Sequence, residues 1–82
     1  MLLAIDVGNT QTVVGLFKED DLVQSWRMMT PRYETSDEIA LVIYGFLKNT
    51  GYDPSNVSKM AVSCVVPSLL LKIINKIKTL IF

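Results

Sequence analysis

Histidine is absent from this chain, and Cys64 is its only cysteine. Those two scarcities exclude His-based catalytic triads, disulfides within the chain and thiolate zinc sites, so acid–base chemistry falls to carboxylates. Eight basic and eight acidic residues cancel, which leaves no global attraction to nucleic acid or to an anionic membrane. No stretch approaches the roughly 18–20 apolar residues of a membrane span. Met1–Ile5 has no basic flank, and Asp6 interrupts the apolar run too early for a secretory signal. Repeats, low-complexity stretches and linkers are missing too. A cytoplasmic protein, with neither nucleic acid nor membrane as partner, is the expectation.

What the chain does have is apolar residues, half of its 82, which argues for one small packed domain and against disorder. A domain of this size buries only about 60–65% of its unfolded surface, so its core is marginal. Charge is unevenly placed: all eight acids lie at or before Asp53, and Lys59, Lys72, Lys76 and Lys78 follow it.

The apolar run Leu2–Val7 predicts a strand buried on both faces. Thr12–Phe17 reads as a second strand, Lys18–Asp21 as a polar turn, and Leu22–Met29 as a third strand that returns antiparallel with imperfect alternation. After a loop containing Pro31, a helix opens with Thr35 or Ser36 as N-cap and Asp37 and Glu38 in its first turn, where the dipole favours negative charge. Ile39, Val42, Ile43, Phe46 and Leu47 recur at helical spacing, and Gly51 closes the element as a C′ residue. Asp53–Asn56 is a loop, Lys59–Val66 a β-branched apolar strand, and Pro67–Ser68 opens a final helix. Strand, strand, strand, helix, strand, helix is the order of an α/β domain with a mixed sheet: a meander, then a crossover to a parallel strand.

The run Ile5-Asp6-Val7-Gly8-Asn9-Thr10-Gln11-Thr12-Val13-Val14-Gly15 is the most informative. A strand ends in a carboxylate, turns on Gly8-Asn9 and resumes. Such a turn can aim backbone N–H groups, the Thr10 and Thr12 hydroxyls and the Asn9 amide at one point beside Asp6, which suits a triphosphate with Mg²⁺. A two-residue Gly-Asn hairpin turn with no ligand accounts for the same residues. The turn alone leaves both readings open.

Five segments in order carry a resemblance. They are Leu3–Thr10, Val14–Phe17, Ser25-Trp26-Arg27, Thr35-Ser36-Asp37-Glu38 and Ser63–Pro67. With the Asp6 turn between the first two strands, the chain resembles the actin-like and sugar-kinase ATPase superfamily and, more narrowly, the N-terminal part of the type III pantothenate kinases. The resemblance implies a ribonuclease H-like (actin-like ATPase) half-domain, incomplete at its C-terminal end, with residues 1–82 as the N-terminal part of one such domain and the second domain absent. It implies a kinase that moves the γ-phosphoryl group of ATP to pantothenate in coenzyme A synthesis, using Mg²⁺ and a monovalent cation, K⁺, as a cytoplasmic homodimer.

Carried over by position, Asp6, Val7, Gly8, Asn9, Thr10, Gln11, Thr12 and Val13 form the family's first phosphate-binding element. Asp6 organises the metal through water, Gly8 gives the backbone room, and Asn9, Thr10 and Thr12 supply donors; Gln11 stands where relatives often have Asn or His. The family's Gly-x-Asp-Arg segment, whose Asp is the catalytic base, lies beyond Phe82, as do the cation ligand and the substrate pocket, so no catalytic residue falls within this chain. Phosphoryl transfer is mostly positioning and charge neutralisation, and one side of a cleft is expected to be inactive alone. The alternative is a non-catalytic nucleotide-binding or regulatory module, like the accessory transcription factors described in this family. In the implied arrangement the Lys59–Val66 strand pairs with a further strand outside this chain, which leaves Met60–Val66 as an uncharged, β-branched edge expected to self-associate, with Lys59 the only nearby gatekeeper charge.

Other candidates have plainer explanations. Asp37 and Glu38 read as first-turn charges rather than a carboxylate pair, since adjacent helical residues diverge by about 100°. Arg27 and Arg32 suit a phosphate, the surface or a dimer contact equally. Cys64 reads as a small core residue, and the basic final helix as one that packs its Leu70, Ile73, Ile74 and Ile77 stripe on the sheet rather than on a membrane.

Overall fold

Strand β1 (Leu2–Val7) runs through the middle of a four-stranded sheet in a computed structural model that describes residues 1–30, 36–65 and 67–81. It pairs antiparallel with β2 (Gln11–Lys18) and parallel with β4 (Lys59–Cys64); β3 (Asp21–Met29) lies outside β2, giving the order β3-β2-β1-β4. Helix α1 (Ser36–Asn49) makes the crossover to β4, and α2 (Pro67–Ile81) follows it. This is the mixed α/β sheet expected from the sequence. Thr35, Val66 and Phe82 lie outside the described residues, as does the loop at Pro31.

One face of the sheet holds the core. Leu3, Ile5 and Val7 of β1 and Val14 and Leu16 of β2 cluster with Ile39, Ala40, Ile43 and Leu47 of α1, Val57, and Ile73 and Ile77 of α2. Trp26 of β3 stacks on Phe46 of α1 with ring centroids 5.5 Å apart and planes nearly parallel, an offset aromatic contact beyond simple area burial. The α2 stripe behaves as its spacing predicts: Ile73 and Ile77 are buried, and Leu70 and Ile74 are half-buried.

Two expectations change. Strand β1 is covered on one face only, with Leu2 and Ala4 half-buried and Asp6 exposed, because both helices pack on the side of Leu3, Ile5 and Val7. In α1, Val42 is exposed and Ala40 takes a buried place. At about 100° per residue, Val42 falls off the arc that Ile39, Ile43 and Leu47 define.

Local signals explain the joints. The β2–β3 turn is tight, with Lys18 paired to Asp21 and Glu19 in the left-handed region at φ 57°. The imperfect alternation of β3 is a β-bulge: Leu16 pairs with Gln24 and Phe17 with Leu22, so Val23 is the extra residue. Helix α1 ends at Gly51, φ 84°, where the Gly51 N–H donates to Lys48 C=O at 3.2 Å and the Tyr52 N–H to Leu47 C=O at 3.0 Å. That pair is a Schellman motif, which requires the left-handed residue. Within the loop at Asp53–Asn56, Pro54–Asn56 forms one 3₁₀ turn capped by Asp53.

Candidate functional site

The turn at Gly8–Gln11 sits at the C-terminal end of the central strand. The Gly8 N–H donates to the Gln11 carbonyl at 2.9 Å. A β-carbon on residue 8 would stand 2.7 Å from that same oxygen, closer than real Cβ atoms come, so the turn needs glycine for space. The N–H groups of Asn9 and Thr10 have no acceptor among the described residues. Two adjacent N–H groups without an acceptor there are the raw material of an anion site.

Alternation along the strands sorts the other residues. Asp6 lies on the uncovered face, in register with Val13 on one side and Ser63 on the other. Asp6, Asn9, Thr10 and Gln11 are exposed and share the rim; Val13 is half-buried beside Asp6. Val7 and Thr12, opposite one another across β1 and β2, point into the core and are fully buried. The resemblance implies Thr12 as a phosphate donor. Here its hydroxyl lies on the helix side of the sheet, 2.9 Å from that of Thr30, because even positions of β2 face the core.

The end of β3 grips the turn from both sides. On the uncovered face the Arg27 Nη1 donates to Gln11 Oε1 at 3.1 Å. On the core side the Thr30 hydroxyl donates to the Gly8 carbonyl at 2.8 Å, and the Thr30 N–H donates to Thr10 C=O at 2.8 Å. Arg27 therefore contacts the turn; Arg32 lies outside the described residues. Thr30 escaped the sequence reading for a definite reason. A regular hairpin closed by the Lys18–Asp21 pair would set Met29 opposite Thr10, and the bulge at Val23 advances the register so that Thr30 arrives there instead.

The donor set fits a cation that keeps most of its water. No group of three or more His, Cys, Asp or Glu is gathered among the described residues, so there is no all-protein metal cage. Asp6 is a single exposed carboxylate beside the turn, and Mg²⁺ held mainly by water and phosphate oxygens asks for one or two such groups. No described helix is long and apolar enough to cross a membrane.

Residues 2–81 match the family model for type III pantothenate kinase. Relatives bearing that name include a protein of Listeria innocua, 41% identical over 70 residues, and one of Myxococcus xanthus, 46% identical over 69 residues. A protein of Symbiobacterium thermophilum named type III pantothenate kinase 1 is 45% identical over 69 residues. The matches take in 84–85% of this chain but only 26–27% of each relative, so the chain spans about a quarter of the length of these curated relatives.

Proposed function

Because the chain belongs to the type III pantothenate kinase family, we propose that its Gly8–Gln11 turn is the first phosphate-binding element of an enzyme that transfers the γ-phosphoryl group of ATP to the hydroxyl of pantothenate, the opening step of coenzyme A synthesis. The observation that carries this is the rim itself: Asp6, Asn9, Thr10 and Gln11 exposed together at the end of the central strand, over a turn that only glycine fits. The Asn9 and Thr10 N–H groups, with their side chains, hold phosphate oxygens, and Asp6 orients Mg²⁺ through its water shell. Val7 and Val13 flank the turn, one anchoring it in the core and the other walling the Asp6 side. Mg²⁺ supplies charge neutralisation at the transferring group when bound.

In this reading residues 1–82 form the N-terminal part of one ribonuclease H-like, actin-like ATPase domain. A base for the pantothenate hydroxyl, K⁺ and its ligands, and the substrate pocket belong to the three-quarters of the relatives that this chain does not match. The setting is cytoplasmic, the longer enzyme is a homodimer, and the 82-residue chain binds nucleotide without turning it over.

The test is a titration of the 82-residue chain with ATP and Mg²⁺, followed by amide shifts at Gly8–Gln11 and by a coupled phosphorylation assay with pantothenate and K⁺. Saturable shifts confined to the turn, weakened about tenfold or more by Asp6→Asn as for loss of a charged partner, with no turnover, are expected. Clear turnover by protein free of the host's own kinase, or an Asp6→Asn affinity equal to wild type, would overturn the assignment.

A further inference from the structure

We propose that Thr30 is a positioning residue for the Gly8–Gln11 turn, acting through a hydroxyl relay that also takes Thr12 out of direct contact with any ligand; the ligand half of this inference rests on the nucleotide reading above. A hydroxyl has one proton to give. The Thr30 proton goes to the Gly8 carbonyl at 2.8 Å. The 2.9 Å contact between the two hydroxyls is therefore donated by Thr12. Thr12 is fully buried, and with its proton committed to Thr30 it has none left for a phosphate oxygen. The chain of donation runs from Thr12 to Thr30 to Gly8 C=O, ending on the residue that has no room for a side chain.

The consequence is directional. Gly8 C=O is held toward the core side by Thr30, and Thr10 C=O is held by the Thr30 N–H at 2.8 Å. Across a trans peptide the N–H lies opposite the preceding C=O, so holding Gly8 C=O to Thr30 turns the Asn9 N–H away from the core side, and holding Thr10 C=O anchors the far end of the turn. Carbonyl oxygens turned to the same rim would repel an anion, so fixing them away matters as much as offering the donors. Arg27 secures the other side through Gln11, but it is exposed and its contact is between side-chain ends, whereas Thr30 bonds to the backbone of the turn itself.

Thr30→Val keeps the shape and removes the hydroxyl, Thr30→Ser restores it, and Thr12→Val breaks the relay one step behind the turn. Two measurements on the 82-residue chain decide the matter: site-resolved amide exchange without ligand, and affinity for ATP with Mg²⁺. Expected for Thr30→Val is exchange about tenfold or more faster at the Gly8 and Thr30 amides, from a half-buried carbonyl left without its donor, with the Ile5 and Val14 amides unchanged. ATP affinity falls by a similar factor, Thr30→Ser recovers both, and Thr12→Val loses less than Thr30→Val. A general loss of packing would instead speed exchange at Ile5 and Val14 and would not be rescued by serine; either result overturns the proposal. So does a loosened turn with ATP affinity intact. A wild-type chain that binds no ATP overturns the ligand half, and is told apart from failure of the relay by the exchange data. Should Thr30→Val not fold, an ATP affinity of Thr12→Val more than about tenfold below wild type would show Thr12 to be a direct ligand contact after all, against the smaller loss expected of one neutral hydrogen bond.

Discussion

The two faces of the sheet differ in what covers them more than in what they are made of. Toward α1 and α2, strands β1 and β2 present Leu3, Ile5, Val7, Val14 and Leu16, all without meaningful solvent contact. Away from the helices the same strands present Leu2, Ala4, Val13 and Phe17, only half-buried, with Asp6 fully exposed among them. Ala4, Val13, Gly15, Phe17, Leu22 and Ser25 line a shallow apolar depression beside Asp6. Apolar character by itself therefore does not define the core; a partner surface does, since hydrophobic stabilisation scales with the area removed from water. The candidate site uses both faces. Its exposed groups stand at the uncovered side and rim, and the Thr12–Thr30 support stands on the packed side.

Substitution on adjacent residues of β1 tests this contrast most strongly. Leu3→Ala is expected to cost about 3 kcal/mol, within the range for buried leucines and a large share of what so small a domain has. Leu2→Ala, on the other face, should cost about 1 kcal/mol. Urea unfolding of the pair measures both, and equal losses would break the distinction between the faces. A pair of glycines sharpens it next. Gly8→Ala drives a methyl onto the Gln11 carbonyl at 2.7 Å, so the turn backbone must move, at about 1–3 kcal/mol, with ATP affinity lost alongside. At Gly15 a methyl meets only the tips of Leu22 and Phe17, at 3.2 and 3.3 Å, on the uncovered face. Gly15→Ala should stay within about 0.5 kcal/mol of wild type; a larger loss there would mean that this face is packed more firmly than its exposure suggests.

The edges of the sheet offer a third test. Among the described residues strand β4 has a partner on one side only, and a groove between it and α2, lined by Ser58, Lys59, Met60, Val62, Ile74 and Lys78, stays open. Self-association through that edge is expected to rise with concentration. Ala61→Lys, at an exposed position of β4, should shift the chain several-fold toward monomer by adding a gatekeeper charge. Light scattering behind a sizing column over a tenfold concentration range decides it. A sharp wild-type monomer throughout would show that α2 closes the edge.

The smallest effect belongs to Asp53, far from both faces. The Ser55 N–H donates to its Oδ1 at 3.0 Å, and this backbone hydrogen bond, then the Ser55 side chain and the Lys48 charge, hold its carboxyl below the ordinary value. A depressed carboxylate binds fewer protons in the folded chain than in the unfolded one. Its contribution is complete above the ordinary carboxylate range and fades as pH falls through the depressed value. Asp53→Asn should therefore flatten that part of the acid limb slightly in thermal melts between neutral pH and about pH 3, with no change at the turn; an acid limb identical to wild type would deny the cap its electrostatic share.

Element order, the helical stripe through Ile39, Ile43 and Leu47, the C-terminal closure at Gly51 and the Gly8-Asn9 turn behind a carboxylate are all legible in the residues alone. Each is a local matter: periodicity, a left-handed residue, a strand end. Tertiary structure decided which face of β1 is covered, because Leu2–Val7 is apolar on both sides until two helices choose one. It also decided that Thr12 points away from the rim and that Thr30 belongs to the turn. A single bulged residue, Val23, changes the partner of Thr10 from Met29 to Thr30. Because side chains alternate with a period of two, a shift of one residue exchanges the faces, and no local preference in Leu22–Met29 fixes where that extra residue falls.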